Sequence, residues 1–133
     1  MYMAPEIIKR YSYDNKVDIW SAGIVIFIML SGRPPFGGST KEAIYKTIKT
    51  RPLEFPDREW AMVSSEAKDF IERCLNKDPV QRATAAQLLA HPWMQNQGAR
   101  NVKLEHVSQN LINFCVLSNF QKIIISVLTG LKI

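Results

Sequence analysis

The sequence is poor in the residues that build metal, disulfide and thiol-based sites. Its 133 residues include only two cysteines and two histidines, and neither a Cys-x-x-Cys pair nor a mixed cluster of the two types occurs. A zinc site needs such ligands at short spacings, so we expect no metal in this chain. Cys74 lies in a helical pattern, where a free thiol serves as a small apolar side chain. We interpret His91 and His106 as structural residues.

Long apolar runs are also missing. Residues 19–30 are nearly all apolar but number only twelve, whereas a membrane-spanning helix needs about 20. Residues 111–131 are long enough, but polar side chains such as Asn113 and Lys122 interrupt them. No basic and apolar leader opens the chain, so we expect no signal peptide. These features predict a soluble, cytoplasmic protein without a membrane partner.

Positive charge is present but not concentrated. Lysine and arginine number 17 against 12 acidic residues, which gives a net charge of +5. Beyond residue 94 the basic side chains are dispersed, at Arg100, Lys103, Lys122 and Lys132. Nucleic-acid and membrane surfaces are recognised by clustered charge. We therefore expect no nucleic-acid partner.

Strand-like alternation is absent, and helical periodicity takes its place, which predicts an all-α fold. A helix begins near Lys16, with Asp14 or Asn15 as the N-cap, and ends at Gly32. Its body is apolar around most of its circumference after Gly23, which is typical of a helix in the middle of a core. Further helices are predicted over residues 41–49, 65–75 and 85–89, with irregular segments at 1–13 and 51–60.

The C-terminal part of the chain forms a separate pattern. A polar linker is predicted over residues 94–109, and it divides residues 1–93 from residues 110–133. From Leu111 to Leu131 apolar side chains recur at steps of three and four, which predicts one amphipathic helix. We expect four of them to be its anchors: Phe114, Leu117, Ile124 and Leu128.

Several short motifs in residues 1–93 carry a resemblance to a known family. They are Tyr2-Met3-Ala4-Pro5-Glu6, Asp18-Ile19-Trp20-Ser21-Ala22-Gly23, Gly32-Arg33-Pro34-Pro35-Phe36, Asp78-Pro79-Val80-Gln81-Arg82 and His91-Pro92-Trp93. In this order and spacing they resemble the second half of the larger, C-terminal lobe of eukaryotic serine/threonine protein kinases. The resemblance implies an incomplete, all-α kinase lobe followed by a regulatory helix.

Four further segments narrow the resemblance to the calcium-regulated branch of these kinases. Pro-Pro-Phe-Gly-Gly (34–38) and Ala-Lys-Asp-Phe-Ile (67–71) are similar to calcium/calmodulin-regulated kinases. Residues 110–114 and 120–123 are similar to the regulatory junction of calcium-dependent protein kinases, which leads into EF-hands. No EF-hand loop occurs in this sequence, so we expect that this chain cannot sense calcium by itself.

The resemblance implies roles for four residues near the two ends of the kinase-like segment. Glu6 is expected to pair with Arg82 in an interior ion pair that holds the peptide-positioning segment against the base of the lobe. Tyr2 and Met3 are expected to line the pocket beside the phosphorylated residue of a protein substrate, a binding role only.

It also implies roles for three residues of the long apolar helix. Asp18 is expected to be a core residue that holds the backbone of the catalytic loop from below. Trp20 and Gly23 are expected to support the packing of that helix, with Gly23 allowing a neighbouring element to come close. For all of these residues, plain packing is the alternative interpretation.

The motifs that perform phosphoryl transfer are absent from the sequence. There is no Gly-x-Gly-x-x-Gly loop for the phosphates, no Val-Ala-Ile-Lys lysine, no His-Arg-Asp base and no Asp-Phe-Gly for magnesium. We therefore predict no catalytic, cofactor-binding or metal-binding residue in this chain. The parent kinase would use ATP and Mg²⁺, and its missing N-terminal part would be a partner of this chain.

Two functional hypotheses remain open at this point. The first is an inactive fragment of a kinase that transfers the ATP γ-phosphate to serine or threonine. The alternative is a non-catalytic kinase-lobe interaction module. In either case the tail helix could bind calmodulin or an EF-hand domain in a hydrophobic groove, or could dock on the lobe as an intramolecular clamp.

Overall fold

The computed structural model describes residues 2–12, 14–95 and 107–113, and within these ranges the chain is helical with no strand. The prediction of an all-α fold is confirmed. The helices are α1 (Pro5–Ile8), α2 (Lys16–Ser31), α3 (Lys41–Thr50), α4 (Asp57–Trp60), α5 (Ser65–Cys74), α6 (Ala85–Leu89), α7 (Pro92–Gln95) and α8 (107–113). None of the helices in this part of the chain has the length and apolar character of a membrane span.

Short polar side chains begin most of the longer helices. Thr40 accepts the N–H of Ala43 at 3.1 Å at the start of α3. Ser64 and Thr84 do the same for α5 and α6. These oxygens satisfy N–H groups that have no partner within the first turn. At α2 the N–H of Lys16 bonds to the carboxylate of Asp14 at 2.9 Å, one of the two predicted caps.

Three one-turn helices interrupt segments that were predicted to be irregular or left unassigned. They are α1, α4 and α7, each four residues long. Pro5 and Pro92 open α1 and α7, where the fixed φ of proline suits the first helical position and its missing N–H costs nothing. The predictions of irregular segments over residues 1–13 and 51–60 are therefore wrong at α1 and at α4.

Helix α2 runs through the core and packs against α5. Trp20, Ile24, Phe27 and Ile28 are buried on α2, and the side chains that cover them include Ile71, Cys74 and Leu75. The closest approach is at Gly23, where a Cβ atom would lie 2.6 Å from the Cβ of Cys74. The bare backbone of Gly23 is therefore what lets α5 cross α2 at this distance.

One face of α2 is uncovered, which corrects the prediction that the helix is buried on all sides. Asp18, Ala22 and Val25, at spacings of four and three, are exposed, and the side chain of Val25 is 45% accessible. Residues at these spacings share one helix face. No described part of the chain packs over this open face, defined by Asp18, Ala22 and Val25.

The C-terminal end of α2 is closed by Gly32 and approached by α8. Gly32 adopts a left-handed conformation with φ 76°, and its N–H bonds to the carbonyl of Ile28 at 2.7 Å, as the sequence predicts. Asn110 of α8 hydrogen-bonds to the last turn of α2. Residues 94–95 and 107–109 of the predicted linker are helical, in α7 and α8. Residues 96–106 of that linker and the anchors Phe114, Leu117, Ile124 and Leu128 lie outside the described residues.

Candidate functional site

The structure brings Glu6 and Arg82 together although 76 residues separate them in the sequence. The two guanidinium nitrogens Nη1 and Nη2 donate to Oε1 and Oε2 of Glu6 at 2.6 and 2.9 Å. The side chain of Arg82 is fully buried and that of Glu6 is 3% exposed. A planar guanidinium and a carboxylate joined by two parallel bonds have a fixed relative orientation. The pair therefore locks α1 to the loop before α6.

Backbone carbonyls and an aromatic ring complete the surroundings of Arg82. Its Nε donates to the carbonyl of Asn76 at 2.9 Å, and Nη1 also donates to that of Lys16 at 3.0 Å. Its guanidinium carbon lies 5.2 Å from the ring centre of Trp20, within the range of a cation–π contact. Trp20 in turn stacks on Phe36, with ring planes 7° apart. One arginine thus joins three separate segments of the chain.

The ionisation of Glu6 reflects two opposing effects. Burial raises the pKa of the Glu6 carboxyl, but the hydrogen bond from Arg82 and its positive charge lower the pKa, and the net result is below the ordinary value. A carboxylate with a lowered pKa in the folded state stabilises the fold above its ordinary pKa, and that stabilisation is lost as the pH falls through the folded-state pKa. The ion pair is therefore intact at neutral pH and weakened by acid.

Glu6 of the ion pair follows, three positions after Met3, the segment for which the resemblance implies a substrate-binding role. Tyr2 and Met3 are 44% and 38% exposed, whereas the next residues, Ala4 to Glu6, are buried. The hydroxyl of Ser21 donates to the carbonyl of Tyr2 at 3.0 Å. Ser21 is a positioning residue that sequence reasoning missed, since a hydroxyl bound to a distant carbonyl leaves no periodic signal.

The three predicted core residues of α2 have different surroundings. Trp20 is fully buried between elements, and Gly23 lies at the crossing with α5. Asp18, by contrast, is exposed on the open face, which corrects its placement in the core. Its carboxylate lies in solvent at the first turn of α2, where no described residue packs over it.

Two further titratable side chains, those of His91 and Cys74, lie in structural surroundings. Nε2 of His91 lies 2.7 Å from Oδ2 of Asp69, and Nδ1 accepts the N–H of Trp93 at 3.1 Å. This partnership fixes the ring at the start of α7. Burial raises the pKa of the Cys74 thiol to about 12, so this thiol is not a nucleophile at neutral pH. No group of three or more potential metal ligands occurs in residues 2–12, 14–95 and 107–113.

A cleft of about 230 Å³ opens beside the end of α2, between the Pro34-Pro35 turn and α4. The rings of Phe27 and Trp60 line its apolar part. Its charged rim residues pair with one another, as Arg33 and Glu59 do at 3.6 Å. Such a rim neutralises its own charge.

Comparison with known proteins agrees with the geometry. The family model described as "Protein kinase domain" matches residues 1–94. Calcium-dependent protein kinase 34 of Arabidopsis thaliana is 39% identical over 131 residues, which are 97% of this chain and 25% of the relative. Calcium-dependent protein kinase 14 of the same plant is 44% identical over 123 residues, covering 91% of this chain and 23% of the relative. Calcium-dependent protein kinase 20 of Oryza sativa subsp. japonica is 43% identical over 123 residues, which cover 91% of this chain and 22% of the relative. The chain thus spans about a quarter of the length of these relatives.

Proposed function

This chain belongs to the protein kinase family, and on that basis we propose that it is the C-terminal part of the large lobe of a serine/threonine kinase related to the calcium-dependent branch. The complete protein would transfer the γ-phosphate of ATP, with Mg²⁺, to serine or threonine hydroxyls of proteins. The observation that supports this most directly is the bidentate Glu6–Arg82 pair behind the exposed Tyr2 and Met3.

The role of this part is to present a substrate-facing segment on a rigid support. Phosphoryl transfer depends chiefly on positioning, because misplacement of the acceptor hydroxyl by about 1 Å lowers the rate severely. The ion pair fixes α1, and Ser21 fixes the backbone of Tyr2. In this proposal Tyr2 and Met3 contact the substrate beside its phosphorylated residue, and the pair sets their position.

A kinase assay of the complete protein tests this role. We expect Arg82→Met to lower kcat/KM for a peptide substrate strongly, because it releases the segment and leaves Glu6 buried without a partner. The matched control is Arg51→Met, which removes an exposed arginine with a 4.0 Å contact to Glu54. Equal activity of both variants at a temperature where both are folded would contradict the positioning role.

We propose that the chain alone is catalytically inactive. Its sequence holds none of the motifs that bind the nucleotide, supply the base or hold magnesium. Isothermal titration calorimetry of the 133-residue chain with ATP and MgCl₂ is expected to show no heat of binding. Stoichiometric micromolar binding would refute this. The non-catalytic interaction module is the alternative, and it predicts the same calorimetry.

The sequence of the transcript upstream of Met1 separates these two functions. An in-frame His-Arg-Asp and Asp-Phe-Gly there would support the kinase, and a complete upstream region without them would support the interaction module. For the kinase, the preceding part of the domain is the partner that would cover the open face of α2. In isolation the chain should bind a hydrophobic dye or aggregate through that face.

The tail is proposed to be a regulatory helix with two possible binding partners. Its anchors Phe114, Leu117, Ile124 and Leu128 suit a hydrophobic groove of calmodulin or an EF-hand domain, but only Lys122 and Lys132 supply positive charge beside them. Docking on the lobe as an intramolecular clamp is the alternative. Titration of peptide 108–133 against calmodulin, with and without calcium, tests the first: calcium-dependent saturation supports it and flat titrations exclude it.

A further inference from the structure

The last turn of α2 has carbonyl groups that its own helix cannot satisfy. The final four carbonyls of any α-helix lack an intrahelical N–H donor. In α2 the N–H of Gly32 takes the carbonyl of Ile28 at 2.7 Å. The next two carbonyls, of Met29 and Leu30, need donors from outside the helix.

Asn110 supplies these donors from α8. Its amide nitrogen Nδ2 lies 3.0 Å from the carbonyl oxygen of Leu30 and 3.3 Å from that of Met29. The residues are 80 and 81 positions apart in the sequence, so the contact is tertiary. The C-terminal end of a helix carries partial negative charge. An amide donor fits that end, whereas a carboxylate of nearly the same shape would be repelled.

Gly32 leaves the space in which the Asn110 side chain lies. A Cβ atom on Gly32 would be 3.3 Å from Oδ1, 3.5 Å from Cγ and 3.6 Å from Cβ of Asn110. The same glycine is required by its φ of 76°. The residue that terminates α2 therefore also lies against the α8 side chain that caps it.

We propose that Asn110 is the positioning residue that holds the regulatory segment on the kinase lobe, by acting as a remote C-terminal cap of α2. The term regulatory rests on the proposed function, but the capping contact does not. Because binding free energies are reciprocal, docking of α8 stabilises the end of α2, and loss of that docking weakens it. A partner that captures α8 must break both hydrogen bonds and so loosens the turn that leads to Pro34-Pro35.

Hydrogen exchange measured by mass spectrometry on the 133-residue chain tests this proposal. We expect Asn110→Leu to speed exchange roughly tenfold in the peptide that covers α8, because two hydrogen bonds hold it. A smaller acceleration is expected in the peptide that covers residues 28–33. Asn110→Asp, which keeps the size but removes the donor, should have at least the same effect.

The control is Asn113→Leu in the same helix. Asn113 is exposed, and its side-chain oxygen accepts a hydrogen bond from Nε2 of Gln109 at 3.0 Å, within α8. This variant should change exchange less than twofold at the end of α2. The proposal is overturned if α8 is already unprotected in the wild-type chain, if Asn110→Asp retains protection, or if both leucine variants behave alike. Any of these results would leave the kinase assignment of residues 1–94 unaffected, since the assay does not depend on catalysis.

Discussion

Opposite faces of the same helix, α2, have different environments. On one side Trp20 and Ile24 are completely buried by elements that follow α2 in the sequence. On the other side Asp18, Ala22 and Val25 meet solvent. Both sides are apolar after Gly23, so composition does not distinguish them. The difference teaches that described residues after α2 complete one half of its packing, and that none of residues 2–12, 14–95 and 107–113 covers the other half.

The largest expected effect on stability is at the Glu6–Arg82 ion pair, on the buried side of α2. Arg82→Met should lower the free energy of unfolding by about 3–5 kcal/mol, because it leaves Glu6 charged and without a partner in the interior. Urea titration followed by tryptophan fluorescence measures this. The exposed control Arg51→Met should change it by less than about 0.5 kcal/mol.

A double variant and a pH series sharpen this prediction. Replacing both members, by Glu6→Leu with Arg82→Met, should recover much of the loss, because no unpaired charge remains. The wild-type chain should lose stability as the pH falls through the lowered pKa of Glu6, and the double variant should lose less over the same range. Identical acid profiles would show that the pair contributes nothing to the pH dependence.

The second largest expected effect on stability is at the crossing of α2 and α5. Gly23→Ala should destabilise the fold by about 1–3 kcal/mol, since the added methyl group would lie 2.6 Å from the Cβ of Cys74. Gly37→Ala is the control, because nothing lies within 4 Å of a Cβ built there. Thermal unfolding of both variants checks this, and a similar change in Tm for the two would contradict the close crossing.

A smaller change in the free energy of unfolding, an increase, is expected at Arg10, just after α1. Arg10 has a φ of 59°, which lies in the left-handed region. A residue with a Cβ atom raises the free energy of the folded state when it adopts this conformation. Arg10→Gly should therefore raise the free energy of unfolding by about 0.5–1 kcal/mol, net of the flexibility of glycine. Lys9→Gly, at φ −81°, should give no such gain. If both glycines destabilise the chain, Arg10 carries no backbone strain.

The smallest effect on stability is expected on the open face. Val25→Lys should change the free energy of unfolding by less than about 0.5 kcal/mol, because the side chain is already in solvent. It should nevertheless lower the binding of a hydrophobic dye, since it breaks the apolar face. Val80→Lys, at an exposed loop valine, is the control and should leave dye binding unchanged. A large loss of stability in Val25→Lys would mean that this face is covered.

The elements that could be predicted from sequence were those with a strong local signal. The periodicity and caps of α2, α3, α5 and α6 give their bounds closely, and Gly32 marks the end of α2. The Glu6–Arg82 pair followed from family resemblance rather than from spacing, because a separation of 76 positions hides any pattern. The left-handed Arg10 and the Asn110 contact had no local signal, since tertiary packing decides both. The placement of Asp18 in the core came from the resemblance and not from a local signal, and the described residues leave this side chain exposed.

The buried thiol of Cys74, at the crossing of α2 and α5, can report transient separation of these two helices. Cys74 is fully buried, and its proton is held tightly at neutral pH. An alkylating reagent therefore reacts only when the two helices separate. In a chain whose Cys115 is replaced by serine, the rate of alkylation would therefore report how readily the two helices separate.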